Sequence, residues 1–320
     1  MNPTTTVQID AAVNNYYDRR LLMIAKPALN YLMFAQQRNI PANSSGTIKF
    51  RRYSLLAPAT TPLTEGVTPV GSQMAKTDVT ASVSQYGDFL TLTDVLQYTV
   101  EDNALKEANS LLGQQAANTF DRLTRDVLAA GMTIQYASTA TSRTEITAAM
   151  KITKNEIKEA VRTLKNANAL KMTKIVDPSN AFNTTPLPAC YIAFVHPDTV
   201  YDLQDIPGWI PVEQYGQKKA MENEVGTLGE VRFIESTEAK VFTAGGSGSI
   251  DVYATIIIAQ EAYGVTSING QTLQNVIKPL GSAGAADPLN QRATSGWKST
   301  FVAVRLNEDF MLRIEHAVSA

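Results

Sequence analysis

Residues 46–53, GTIKFRRY, and residues 76–93, KTDVTASVSQYGDFLTLT, alternate apolar and polar side chains, with residues 54–75 between them. In the first stretch Ile48 and Phe50 alternate with Lys49 and Arg51; in the second Val79, Ala81 and Val83 alternate with Thr80, Ser82 and Ser84. Period two predicts a pair of antiparallel strands. Gly87 predicts a bulge, after which FLTLT continues the second strand. The connector is rich in Pro, Thr and Gly and too poor in apolar residues to be core. A two-stranded hairpin alone in water is marginally stable at best. The arm therefore needs a covering surface, either its own body or another molecule.

The rest of the chain supplies the body. In AAVNNYYDRRLLMIAKPALNYLMFAQQRNIP, Tyr17, Leu21, Ile24 and Ala28 recur three to four apart, as do Leu29, Leu32 and Met33. This predicts a helical N-terminal arm, divided at Pro27 and ending near the Pro41 to Gly46 turn cluster. A longer helix follows, opening at Thr99 and Asp102 in capping-box spacing and closing at Gly131. Its stripe is Leu105, Ala108, Leu112, Ala116, Thr119, Leu123 and Val127. Roughly 30 residues at about 1.5 Å each make a spine of about 45 Å.

From Glu145 helix and strand alternate, as in an α/β block. Thr153 with Glu156 starts a helix whose Ile157, Val161 and Leu164 share a face. CYIAFV reads as a buried strand, HPDTVYDLQ as a turn into a short helix with Asp198 as cap, and Trp209 as part of a loop. EVRFIEST is a further strand, and VFTAGGSGSIDVYATIIIA two strands joined by a glycine-rich turn. NVIKPLG is another strand. The final stretches WKSTFVAVRL and FMLRIEHAV predict a hairpin, with Val302, Val304 and Leu306 facing Phe310, Leu312 and Ile314.

Chemistry is sparse. The chain has one cysteine, Cys190, which excludes an internal disulfide and sits in an apolar run as a small buried hydrophobe. Two histidines, His196 and His316, stand far apart with no HxxxH or CxxC spacing, so no His/Cys metal site and no triad pattern emerges. GGSGS lacks the following helix and the lysine of a phosphate loop. Glu222 and Glu224 read as a solvated surface. The formal net charge is -2, without the overall basic balance that sequence-independent DNA binding favours. Positive charge does gather early, at Arg19, Arg20, Lys26, Arg38, Arg51 and Arg52, where pairing with acidic partner surfaces is the expected use. The N-terminus has neither a basic start nor an apolar h-region, and the longest apolar run is far short of a membrane span. These features predict a cytoplasmically made protein without signal peptide, membrane contact, cofactor or catalytic residue.

The order of these parts, with LTEGVTP and QYGDFLTLTD in the hairpin, NEVGTLGEVRFIEST in the block and VIKPLGSAGAADPLNQRATSGWK and RLNEDFMLRIEHA near the end, resembles the major capsid proteins of tailed phages. The resemblance is narrowest to the N4-like family, and it runs from about Tyr16 to the end, departing at Glu230, where a second glycine is expected after Gly229. It implies an α+β chain of the Hong Kong 97-type capsid fold. On that frame residues 1–45 are the N-terminal arm and 46–95 the extended loop. Residues 96–144 are the peripheral domain with its spine helix, 145–270 the axial domain, and 271–320 the peripheral strands. The resemblance further implies pentamers and hexamers in an icosahedral head around double-stranded DNA, touched non-specifically. A portal, a separate scaffolding protein and a decoration protein are the other expected partners, with the virion as location and the host cytoplasm as site of assembly. Expected inter-subunit contacts are Arg19, Arg20, Lys49, Phe50, Arg51, Arg52, Tyr53, Glu65 and Lys76. Two other readings stand beside it: an encapsulin-type nanocompartment shell of the same fold, and a soluble α/β enzyme, for which no organised acid–base site is visible.

Overall fold

The computed structural model describes residues 30–42, 45–54, 56–63, 65–66, 68, 71–95, 104–172, 189–215, 221–268, 273–282 and 287–319. The helical stripe expected before residue 30, with Arg19 and Arg20, and the cap expected at Thr99 and Asp102 lie outside them. In chain order the strands and helices are β1 (Gln36–Ile40), β2 (Thr47–Tyr53), β3 (Lys76–Ser82), β4 (Ser84–Thr93), α1 (Ala104–Ala129), β5 (Ile134–Tyr136), α2 (Lys154–Asn166), β6 (Tyr191–Val195) and α3 (Pro197–Gln204). Then come β7 (Trp209–Pro211), β8 (Glu224–Leu228), β9 (Val231–Glu235), β10 (Val241–Phe242), β11 (Val252–Ile258), β12 (Tyr263–Ile268), β13 (Gln274–Lys278), β14 (Arg292–Arg305) and β15 (Met311–His316).

The larger sheet runs β5-β15-β11-β6-β9-β8-β7, with β10 also on β11. Strand β6 lies inside it and buries all five side chains, which is why its sequence is apolar without alternation. One face packs under α2 and α3, where Ile157, Val161, Leu164, Val200 and Leu203 meet Tyr191, Ala193, Phe233 and Leu312. Burying each aliphatic chain of this set contributes roughly 1.5–3 kcal/mol. Helix α2 starts where expected: the Thr153 N–H donates to the Glu156 carboxylate at 2.7 Å, and Glu156 also accepts from the Ser138 N–H. The opposite face takes Tyr31, Phe34 and the end of α1 at Leu128 and Ala129.

The second sheet is built around β14, whose 14 residues pair with β4, β13 and β12; β1 adds itself parallel to β12. Helix α1, 26 residues and about 39 Å long, lies across one face of it. Phe120 meets Trp297 and Phe301 at ring distances of 5.6 and 5.0 Å.

Several expectations need correction. Gln36–Ile40 is a strand rather than the end of a helix, because the edge of β12 offers its backbone a full parallel ladder. Gly87 is no bulge: it sits in an unbroken register opposite Lys298, and the chain breaks between β3 and β4 at Val83. The buried line of α1 also turns away from the expected one. Phe120, Thr124 and Leu128 are buried, while Thr119, Leu123 and Val127 are half-exposed. The final two strands do not form a hairpin. β14 belongs to one sheet and β15 to the other, and the turn between them is fixed to the body by Leu306 and Asn307 N–H groups donating to the Ala262 carbonyl. Trp209 opens the short edge strand β7. At α3 the cap is His196, whose Nδ1 lies 3.3 Å from the Asp198 N–H. The glycine-rich turn joins β10 to β11 as expected.

Candidate assembly interface

Strands β2 and β3 form a separate two-stranded sheet, with Ile48 opposite Ala81 and Phe50 opposite Val79. That apolar face leans on the body near Gly264, and a cleft of about 340 Å³ remains between hairpin and body, lined by Arg38, Phe50, Val79 and Leu306. The other face carries Lys49, Arg51 and Tyr53 opposite Thr80, Asp78 and Lys76. Arg51 grips Asp78 with two nitrogens, at 2.8 and 3.2 Å. The bonds from Arg51 hold the Asp78 carboxyl below the usual carboxylate range. As both groups are solvated, the pair fixes register more than it adds stability. Lys49, Arg52 and Lys76 make no ion pair among the described residues.

Beyond Ser54, whose N–H closes the ladder on the Ala75 carbonyl at 2.9 Å, every described residue up to Ala75 is exposed. The exposed set includes Leu56, Leu63 and Met74, the last two more than 70% exposed, and Glu65 beside Gly66 with φ +80°. The tip thus displays apolar side chains that the described residues leave uncovered.

The second sheet offers a matching feature. Its face away from α1 carries three cross-strand rows over β4, β14 and β13: Gly87–Lys298–Gln274, Phe89–Gly296–Val276 and Thr91–Thr294–Lys278. Two glycines leave gaps in these rows, Gly296 at the centre of the middle row and Gly87 at the β4 end of the first. They are required there, since a Cβ on Gly87 would stand 2.5 Å from the Trp297 carbonyl oxygen and one on Gly296 would stand 2.7 Å from Phe89 Cβ. The result is a trough of about 870 Å³ with Phe89 65% exposed at one wall and Val276 39% exposed at the other. Sequence reasoning passed over it, although two glycines inside apolar strands were the available signal.

Among the described residues no group of His, Cys, Asp and Glu is placed to hold a metal ion. Cys190 is buried and its thiol is pushed up to about 11 by that burial. Glu224, expected on a solvated surface, is instead buried beside Arg232 at 3.1 Å and accepts from the Tyr215 hydroxyl at 2.6 Å. Glu222 is exposed. Of the expected contact residues, the structure gathers Lys49, Phe50, Arg51, Arg52, Tyr53 and Lys76 on one hairpin, puts Glu65 on its tip, and does not describe Arg19 or Arg20.

Known proteins place this architecture. The profile of the family described as phage capsid protein matches residues 76–314. No curated protein matches the chain by sequence. Among solved structures, the capsid of Ralstonia phage GP4 superposes with a TM-score of 0.70 at 13% identity, over 90% of this chain and 88% of that one. The cyanophage Pam1 capsid gives 0.63 at 15% identity, over 90% and 93%. The head of Helicobacter pylori bacteriophage KHP40 gives 0.60 at 11% identity, over 91% and 90%. At such identities the likeness is one of fold, the Hong Kong 97-type capsid fold, while the family match spans most of the sequence. The chain belongs to the phage capsid protein family, and its work is that of a major capsid protein of an icosahedral head.

Proposed function

We propose that the chain is the major capsid protein of an N4-like tailed phage, forming pentamers and hexamers whose copies are tied together by the β2–β3 arm. The observation that carries this reading is the arm's tip: Leu56, Leu63 and Met74 are exposed, as is every other described residue from Leu56 to Ala75. Single exposed apolar residues are ordinary, but three of them along a tip whose described residues are all exposed fit a surface covered on assembly. The trough between Phe89 and Val276 is the place on a neighbouring copy that such a tip fits best, since those two walls are apolar and exposed and the floor between them is emptied of side chains at Gly296. An arm laid there gains area without a core of its own, and each contact need only be modest because a closed lattice repeats it many times.

On this reading residues 46–95 are the extended loop and residues 145–270 the axial domain, with β5 and β15 completing its sheet. Residues 96–144 and 271–320 make the peripheral domain around α1, and residues 1–45 an arm towards neighbours. Lys49, Phe50, Arg52, Tyr53, Glu65 and Lys76, with Arg19 and Arg20, are the proposed inter-subunit contacts. Arg51 takes part through its Asp78 pair, which holds the arm straight. The enclosed cargo is double-stranded DNA held by non-specific contact. A separate scaffolding protein, a portal and a decoration protein are the proposed partners, and assembly proceeds in the host cytoplasm.

The test is to replace residues 55–74 by an Asn-Gly turn, which spares both strands and the Ser54–Ala75 bond. The expected subunit keeps the thermal midpoint of the parent and closes no shells when expressed with its scaffolding protein. Normal shells from that variant would remove the arm from the account.

A further inference from the structure

Tyr31 is gripped by three elements. Its N–H donates to Asp121 Oδ1 of α1 at 2.9 Å, the Tyr263 hydroxyl of β12 donates to its carbonyl, and its ring lies 4.2 Å from that of Phe194 in β6. Phe34 adds an edge contact to Phe194 at 5.7 Å, and Asn223 donates to the Asn30 side chain at 2.7 Å. Residues 30–35 are therefore plugged into the seam where α1 meets both sheets.

The carboxylate at the root of the plug is unusual. Asp121 is 3% exposed and makes no ion pair among the described residues; its partners are backbone N–H groups of Tyr31 and Asn30. Among the described residues, the charged and titratable groups that face it are Arg125, Glu238, Tyr31 and Tyr263. Arg125 is turned elsewhere, to the Glu238 carbonyl at 2.7 Å and to Asp126 at 2.9 Å. Glu238 is held anionic by a two-point bond from Arg122, at 2.7 and 3.0 Å. Burial pushes both tyrosines far up, so they stay neutral. A carboxylate in this setting has lost water and gained an anionic neighbour without a committed cation among the described residues.

We infer that Asp121 is a proton-dependent latch: it holds residues 30–35 in the seam most tightly when neutral, and the plug opens more often as the solution becomes more alkaline. Burial first, then Glu238, raises the carboxyl from its ordinary 3.8 to about 6, against the opposing backbone bonds and Arg125. When the plug leaves, water reaches Asp121 and the ordinary value returns. Opening is then coupled to proton release, and the population of the open form rises with pH from about 4 to about 6 and levels off above.

Hydrogen exchange on the full-length unassembled subunit tests this, with each amide corrected for its intrinsic rate at each pH. Protection at Tyr31 is expected to fall about tenfold between pH 5 and pH 7.5, while protection in β6 stays level. In Asp121→Asn the Tyr31 profile is expected to be flat. A wild-type profile that is flat or rises with pH overturns the proposal without any variant. A profile in Asp121→Asn that still falls with pH overturns it as well.

Discussion

Glu315 has no exposed surface, and its carboxylate takes Arg143 at 2.7 and 2.8 Å and Arg313 at 2.8 Å. Arg143 in turn stacks 3.4 Å over the Phe242 ring, so this one side chain ties β15, β10 and the turn before residue 146 together. Truncating it strands two guanidinium groups, one of them buried. Glu315→Ala is expected to cost about 3–5 kcal/mol, read as a lower denaturant midpoint for the unassembled subunit. Its neighbour His316 is fully buried and neutral. Its Nδ1 and Nε2 are each 2.9 Å from a partner, the Ala317 carbonyl and the Thr255 hydroxyl, and burial pushes it down to about 4. The unfolded chain binds that proton near 6.5, so stability present above pH 6.5 is lost as the pH falls towards 4. Between pH 7 and pH 4.5 the loss is about 2–3 kcal/mol. Asp121 acts with the opposite sign, so the effect is isolated as the difference between wild type and His316→Gln, measured by denaturant melts at both pH values.

At the scale of elements, the β4–β14 ladder depends on glycine. A methyl at Gly87 would meet a backbone carbonyl, which cannot yield as a flexible side chain would. Gly87→Ala is expected to destabilise the subunit by about 1–3 kcal/mol, checked by thermal melting. The elements most legible in the chain were those whose pattern is local. Alternation set the β2–β3 pairing with Ile48 and Phe50 on one face, the Thr153–Glu156 spacing set the start of α2, and an unbroken apolar run marked β6. What escaped depended on distant partners. QQRNI has no strand pattern of its own and becomes β1 because β12 accepts it. β14 and β15 both alternate and a turn joins them, yet the Ala262 carbonyl directs the chain from one sheet to the other. The buried line of α1 includes Asn109, Asp121 and Thr124, polar residues that hydrophobic spacing leaves out. Their burial is offset by bonds from Ser295, from the Tyr31 N–H and to the Phe120 carbonyl.

At the scale of the whole molecule, two sheets share α1, and a third, the two-stranded arm, is hydrogen-bonded to neither and leans on the body at its base near Gly264. The arm and the trough are surfaces that a lone subunit leaves uncovered, and a shell is the setting in which many copies cover each other's. The hairpin was legible because it lacked a core. The trough was not, because it exists only when strands from three parts of the chain line up two glycines and two apolar walls. The measurement that tests the central claim most directly is cryo-electron microscopy of particles formed by this chain, expressed with the proposed scaffolding protein. The account predicts closed icosahedral shells in which the tip around Leu56, Leu63 and Met74 of each copy lies in the trough between Phe89 and Val276 of a neighbour. A chain that remains a monomer, or shells in which the tip folds back on its own subunit, would contradict it.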